Sequence, residues 1–131
     1  MPPPFFDHEK LNVYQDSIRF VAWAEPLTHS LPAKLSVRDQ LDRAATSIPL
    51  NIAEGNGKFT PPDRCRYFDN SRGSALECAA CLDVLVAKHL IASAVADEGK
   101  AILRDIVRML IGLVRANDEN RLAEEPGDYR V

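Results

Sequence analysis

The fold is decided by one stretch of the sequence, which reads Ser47-Ile48-Pro49-Leu50-Asn51-Ile52-Ala53-Glu54-Gly55-Asn56-Gly57. This stretch closes a predicted helix, because apolar residues recur in it at helical spacing and its glycines suit a C-terminal cap. A second polar run, Arg72-Gly73-Ser74, lies inside the next predicted helix. A buried polar group without a partner costs about 1–3 kcal/mol. The two polar runs are therefore expected to face each other across two antiparallel helices.

The polar side chains in and around these runs form a candidate network. Its members are Arg43, Asn51, Glu54, Arg72, Ser74 and Glu77. We interpret the set as hydrogen-bonded partners that fix the register of the two helices; the alternative is a ligand or nucleic-acid site. The short turn between the helices should bring Arg72 alongside Glu54. We therefore expect these two residues to form an ion pair that is at least partly buried, which would support specificity rather than net stability.

Apolar stripes at helical spacing follow one another along the chain, and no strand pattern is present. The first stripe contains Val13, Ser17, Phe20, Ala24 and Leu27; the second contains Val37, Leu41, Ala45, Ile48 and Ile52; the third contains Phe68, Ser71, Ala75, Cys78, Leu82 and Leu85. The last segment carries two adjacent stripes: Ile102, Ile106, Met109 and Leu113, and Leu103, Val107, Leu110 and Val114. Four helices joined by short loops predict an all-α fold, an antiparallel up-and-down four-helix bundle.

Local signals predict where these helices begin. Asn12 with Gln15, and Ser36 with Asp39, have the spacing of capping boxes. The third helix has the clearest start, Thr60-Pro61-Pro62-Asp63, because threonine caps a helix and proline suits its first position. These signals place three of the four helix starts.

The last two helices are expected to be long. The third is predicted to run to about Ile91, and the fourth from about Val95 to Asn117. The two stripes of the fourth helix cover a wider arc than one bundle face needs. This width predicts a second buried surface, between subunits.

Length and composition indicate one domain over residues 1–131, with an extended proline-rich arm at 1–8 and a flexible acidic tail at 118–131. The formal net charge of −3 argues against a strong non-specific nucleic-acid binder. No signal peptide and no run of about 20 apolar residues is visible, so no membrane association is expected. An odd count of three cysteines without a secretion signal favours reduced thiols and a cytoplasmic location.

No pattern in the sequence indicates catalysis, a metal or a cofactor. Cys78 and Cys81 form a CxxC string, but it lies in the middle of a helix on an apolar stripe. We therefore interpret both as small core residues rather than as zinc ligands or a redox pair. A di-iron bundle needs Glu-x-x-His on two helices, and the spacing at His8, His29 and His89 does not provide it. The residues therefore disfavour an enzyme.

Basic residues gather where the second predicted helix meets the third. They are Lys58, Arg64, Arg66 and Arg72. Such a cluster could contact phosphates, and Lys58, Arg64 and Arg66 are the candidate nucleic-acid contacts. Asp63 and Asp69 dilute the positive charge, so the alternative is a solvated face of mixed charge.

The motif Ser-Ile-Pro-x-Asn-Ile-Ala-Glu-Gly at 47–55, followed by Arg-Gly-Ser at 72–74, resembles the four helix bundle protein family. That family is also called the 23S rRNA intervening-sequence protein family, and accessory proteins of diversity-generating retroelements are its relatives. The resemblance runs from about His8 to Arg115. It implies a ring of identical subunits, most simply a homopentamer. Family members are often more basic at the position of Phe59-Thr60, where this chain departs from them.

Two functions follow from the resemblance and the composition together. The first is a non-enzymatic assembly or adaptor protein that binds a partner protein, RNA or DNA through an oligomeric ring. The second is an RNA-binding protein associated with ribosomal RNA. Binding that weakens steeply with salt would favour nucleic acid as the partner, and a complex that is insensitive to salt would favour the adaptor.

Overall fold

The computed structural model describes residues 3–117 of the protein. Within these residues it contains a short 3₁₀ helix and four α-helices, and no strand. The 3₁₀ helix is Asp7–Lys10, and the α-helices are α1 (Asn12–Ser30), α2 (Ser36–Gly57), α3 (Pro61–Ala87) and α4 (Ser93–Asn117). The arm predicted at residues 1–8 therefore gives way to a helical turn at its end. The tail predicted at 118–131 lies outside the described residues.

The four helices close into a bundle, because each packs on its neighbours in sequence and α1 also packs on α4. The connections at 31–35, 58–60 and 88–92 are short, so consecutive helices run antiparallel. The most extensive contact is between α2 and α3, followed by that between α3 and α4. The prediction of an all-α, up-and-down four-helix bundle is confirmed.

The core consists of the predicted stripes. Every residue of the predicted α2 and α3 stripes is buried. On α1 the buried stripe ends at Thr28, and Leu27 is only partly buried. Thr28 tolerates burial because its hydroxyl donates a hydrogen bond to the Glu25 carbonyl at 2.9 Å. Periodicity therefore predicted the buried stripes of α1, α2 and α3 with one difference, the exchange of Leu27 for Thr28 at the end of α1.

The wide apolar arc of α4 is used inside the bundle. Its buried residues are Ala96, Gly99, Leu103, Ile106, Leu110 and Val114. Ile102, Met109 and Leu113 are half-buried and pack against the same core, because α4 contacts both α1 and α3. The arc that predicted a second surface between subunits is therefore explained within one chain. The oligomeric state itself stays a prediction.

Two predicted capping boxes do not form. Asn12 is the first residue of α1 and Leu11 is its cap, with no side-chain hydrogen bond. The chain enters α1 from the 3₁₀ helix, and Gln15 donates to the Glu9 carbonyl at 3.0 Å instead. α2 begins at Ser36 as predicted, but its cap is the residue before it and lacks a side-chain bond.

The start of α3 is confirmed and its end is corrected. Thr60 Oγ1 accepts a hydrogen bond from the Asp63 amide at 3.4 Å, and Pro61 is the first helical residue. The helix ends at Ala87 rather than near Ile91. The reason is His89, whose φ of 61° lies in the left-handed region and turns the chain out of the helix. The start of α4 moves correspondingly, to Ser93.

Candidate functional site

The decisive motif makes a close contact between α2 and α3. A Cβ atom at Gly55 would lie 2.9 Å from the Phe68 ring and 3.0 Å from the Tyr67 Cβ, so only glycine fits there. Further along, the fully buried Ser71 donates a hydrogen bond from its hydroxyl to the Ile48 carbonyl at 2.9 Å. α2 and α3 are thus in close contact at both points.

Part of the predicted polar network is present. The hydroxyl oxygens of Ser47 and Ser74 lie 2.9 Å apart, across the two helices. The Asn51 amide donates to both the hydroxyl and the carbonyl of Ser47, each at 2.9 Å. Two predicted members are therefore joined through Ser47, which the predicted set lacked. We call this contact the α2–α3 seam; its residues are Ser47, Asn51, Gly55, Phe68, Ser71 and Ser74.

The predicted ion pair between Arg72 and Glu54 is wrong. Arg72 Nε lies 3.8 Å from Asp69 Oδ1, one turn away on its own helix. Glu54 is exposed and makes no salt bridge with any described residue. Its direction explains this, because Glu54 follows the buried Ile52 by two residues, a rotation of about 200° that points it to solvent.

The two remaining network candidates also lie outside the seam. Arg43 is exposed, and its Nε contacts Asp39 Oδ2 at 3.0 Å, four residues back on α2. Glu77 is exposed on α3. Exposed pairs of this kind contribute little to stability. The network that fixes the register of α2 and α3 is thus the seam alone.

Arg64, a predicted nucleic-acid contact, has its donors engaged within the chain. It donates to the Asn56 carbonyl at 2.7 Å, to the Lys58 carbonyl at 3.3 Å and to the Asn117 side-chain oxygen at 2.9 Å. The side chain is half-buried above the Phe68 ring, 5.7 Å from its centroid. Arg64 therefore ties the turn between α2 and α3 to α4, and it has little capacity left for a phosphate.

Lys58 and Arg66, the other two candidates, lie on one aromatic ring. The Lys58 ammonium is 5.0 Å and the Arg66 guanidinium carbon 5.2 Å from the centroid of Tyr67. Arg66 is exposed and also approaches Asp63 at 3.7 Å. The structure thus brings two cations and an aromatic ring together at this corner, which is the chemistry of single-strand binding on a small scale.

Three phenylalanines project into solvent at the same end of the bundle. Phe59 is 100% exposed, Phe5 92% and Phe6 67%, the highest values among large apolar side chains of the described residues. Asp7 accepts a hydrogen bond from the Asn56 side chain at 3.0 Å, which holds the start of the chain beside the turn that carries Phe59. We call Phe5, Phe6 and Phe59 the aromatic end. An apolar residue within a polar helix-to-helix turn was the signal available in the sequence.

Cys78 and Cys81 are buried, as predicted; Cys65 is buried as well, and all three are free thiols. Burial, reinforced by Cys81 and Glu77, raises the pKa of Cys78 to about 12. Burial, reinforced by Glu77, also raises the pKa of Cys81. Both shifts work against the thiolate that a nucleophile or a metal ligand requires.

Residues 3–117 contain neither a metal-site arrangement nor a membrane-spanning helix. No group of three or more histidine, cysteine or carboxylate side chains has the arrangement of a metal site. No helix in this part of the chain combines the length and apolarity needed to cross a bilayer.

Comparison with known proteins identifies the family. Residues 9–112 match the 23S rRNA-intervening sequence protein family. Among solved structures, a protein of unknown function from the S23 ribosomal protein family of Bacteroides thetaiotaomicron superimposes with a TM-score of 0.74 at 21% identity, covering 79% of this chain and 98% of that one. At this identity the likeness shows the fold alone. No functionally curated protein matches the sequence. The chain belongs to the 23S rRNA-intervening sequence protein family.

Proposed function

We propose that the protein is a non-enzymatic assembly or adaptor protein of the cytoplasm, whose identical subunits form a ring that binds a protein or nucleic-acid partner. The family resemblance implies the ring and suggests five subunits. The observation that carries the proposal is the aromatic end, where Phe5 and Phe59 are almost fully exposed and Phe6 is 67% exposed. Burial of one such side chain contributes about 1.5–3 kcal/mol. Contact with another subunit at this end would therefore supply a large part of an association energy.

The anchoring of the aromatic end supports a contact role. Asp7 is bonded to Asn56, and Glu9 accepts a hydrogen bond from the Phe6 amide at 2.6 Å. His8 packs edge-on against the Tyr14 ring, with centroids 4.7 Å apart. A segment fixed in this way loses less conformational entropy on association than a free arm.

Light scattering tests the assembly. The measured mass of the full chain should be several times its 14.5 kDa subunit mass. The triple variant Phe5→Ser/Phe6→Ser/Phe59→Ser should have a lower mass. The matched control is Leu90→Ser, an exposed apolar side chain in the loop at the opposite end of the bundle. A monomer at micromolar concentration would refute the ring. A triple variant of unchanged mass would remove the aromatic end from the interface.

The second candidate function, an RNA-binding protein associated with ribosomal RNA, is favoured by the pair of cations on Tyr67. Lys58 and Arg66 would contact phosphates while Tyr67 and Phe59 stack on bases. Single-stranded RNA should then bind with an affinity that falls with salt, and Lys58→Glu/Arg66→Glu should reduce both the affinity and the salt slope. RNA binding that is absent at low salt would reject this candidate and leave the adaptor.

A further inference from the structure

The outer sides of α3 and α4 leave an open groove of about 630 Å³ between them. Its apolar floor consists of Ala75, Leu76, Ala79, Leu103 and Val107, and its charged rim of Asp97, Lys100, Arg104 and Arg108. Leu76 is 50% exposed there, a high value for a leucine in the middle of a long helix. We call this feature the α3–α4 groove.

The cations of the rim recur at every fourth residue, so they follow one line along α4 with about 6 Å between neighbours. Lys100 is engaged with Asp83 of α3. Within residues 3–117, Arg104 forms a salt bridge only with the adjacent Asp105, at 3.9 Å, and the two side chains are 64% and 48% exposed. Arg108 makes no salt bridge with any residue between 3 and 117. Two guanidinium groups in a row are therefore available to an anionic partner.

The floor decides between two kinds of anionic partner. Nucleic acid bases bind on aromatic rings, and the floor contains only alanine, leucine and valine side chains. A protein helix with its own leucine side chains fits such a floor, since helix-in-groove recognition buries an apolar stripe between two helices. Because the partly exposed Ala79 is small, a third helix can approach α3 closely beside Leu76.

We propose that the α3–α4 groove binds an amphipathic helix of a partner protein, with leucine-type side chains toward the floor and carboxylates at four-residue spacing toward Arg104 and Arg108. Carboxylates so placed rise by the same 6 Å per turn as the two arginines and accept paired hydrogen bonds from them. The inference rests on the proposed adaptor function, for which it specifies the chemistry of the partner.

Fluorescence anisotropy with a synthetic peptide tests the proposal on the full chain. The probe is a labelled helix-forming peptide of about four turns with leucines on one face and glutamates beside them; the control peptide carries lysines in place of the glutamates. The glutamate peptide should bind, and Arg104→Glu/Arg108→Glu should weaken its binding at least about tenfold. The lysine peptide should bind more weakly to the unmodified chain and more tightly to the double variant.

A matched variant controls for net charge. Arg19 on α1 is exposed to the same degree as Arg104 and likewise lies 3.9 Å from a carboxylate, that of Asp16. Arg19→Glu should leave the affinity of the glutamate peptide within about twofold, because its effect acts only through screened long-range charge. Equal weakening by Arg19→Glu would overturn the proposal, as would absence of peptide binding at about millimolar concentration.

Three further outcomes would assign the groove to another occupant and overturn the proposal. A lower assembly mass for Arg104→Glu/Arg108→Glu would indicate a second copy of the chain in the groove. Tighter peptide binding by Glu124→Lys/Glu125→Lys would indicate the chain's own acidic segment. Binding of a single-stranded oligonucleotide that the arginine variant abolishes, without peptide binding, would indicate nucleic acid. A monomer that still binds the peptide would reject the ring and retain the groove.

Discussion

The two sides of α3 differ in how they meet their neighbours. Toward α2 the contact is close, with Gly55 against the Phe68 ring and the Ser71 hydroxyl bonded to the Ile48 carbonyl. Toward α4 the inner side is packed, but the outer side opens into the α3–α4 groove, where Leu76 stays half exposed and Arg104 and Arg108 face solvent. Small residues and short hydrogen bonds close the seam. In the groove, α4 instead presents the long side chains of Arg104 and Arg108, and the apolar floor stays open. The seam is therefore a structural feature, and the groove is a candidate for binding.

The largest effect comes from one pair of leucines on α3, one packed inside the bundle and one in the α3–α4 groove. Leu82 is fully buried and Leu76 is half exposed. Leu82→Ala should cost about 2–5 kcal/mol, because it removes buried methyl groups and leaves a cavity. Leu76→Ala should cost less than about 1 kcal/mol, since much of that side chain already contacts water.

Equilibrium urea unfolding at fixed protein concentration measures both leucine variants, because association would otherwise shift the apparent stability. Similar costs for the two substitutions would break the comparison. Such a result would mean that the α3–α4 groove is covered in solution.

A pair of glycines gives the next effect. An added Cβ at Gly55 meets the Phe68 ring at 2.9 Å, so Gly55→Ala should cost about 1–3 kcal/mol through overpacking. Nothing lies within 4 Å of the same atom at Gly73, in the exposed middle of α3. Gly73→Ala should therefore stabilise the chain by about 0.5–1 kcal/mol.

Thermal unfolding of the two glycine variants is expected to move in opposite directions. Phe68→Leu supplies a control, because a smaller side chain opposite Gly55 should reduce the cost of Gly55→Ala in the double variant. Additive effects in that double variant would show that the Phe68 ring is not the obstacle.

Periodicity predicted the helices and the core because burial depends on which helix face a residue occupies, and the spacing of apolar residues in the sequence indicates that face. Ile48, Phe68 and Ser71 were all placed correctly on buried faces. The partners of exposed charges could not be predicted in the same way. Arg72 was expected to pair with Glu54 on the facing helix, but its Nε lies 3.8 Å from the carboxylate of Asp69 on its own helix.

The surface features were the hardest to interpret from sequence. The width of the apolar arc on α4 suggested an interface, yet Met109 and Leu113 pack inside the bundle because α4 has two neighbours there. The row formed by Lys100, Arg104 and Arg108 was visible as a four-residue repeat, but only the structure shows that it borders an apolar floor. Whether such a repeat is a binding feature depends on what lies beside it in space.

The hydroxyl of Ser71 gives a smaller effect within the seam. Ser71→Ala removes the hydrogen bond to the Ile48 carbonyl and leaves that carbonyl otherwise in its position in α2. The free energy of unfolding should therefore fall by about 1–1.5 kcal/mol. Ser30→Ala is the control, since that exposed hydroxyl only bonds the Leu27 carbonyl of its own helix. Urea unfolding should separate the two variants, and an equal, near-zero cost would mean that the seam does not depend on its buried hydroxyl.

The last effect uses pH to probe the closed side of α3. The Cys78 thiol has an ordinary pKa of 9.0, which burial raises to about 12 in the folded chain. The folded state therefore holds the proton more tightly than the unfolded state. The resulting stability is fully present below pH 9 and is lost as the pH rises from 9 toward 12, by about 1 kcal/mol between pH 8 and pH 10. Cys78→Ala removes the titrating group, so the urea midpoint of this variant should fall less steeply over that range than that of the parent chain.

At pH 8 a thiol-specific reagent should not modify Cys78 in the native state, whereas a cysteine introduced by Ala79→Cys, on the floor of the groove, should react readily. Equal alkaline slopes for the parent and Cys78→Ala, together with rapid modification of Cys78, would show that water reaches the core side of α3 as freely as it reaches the groove.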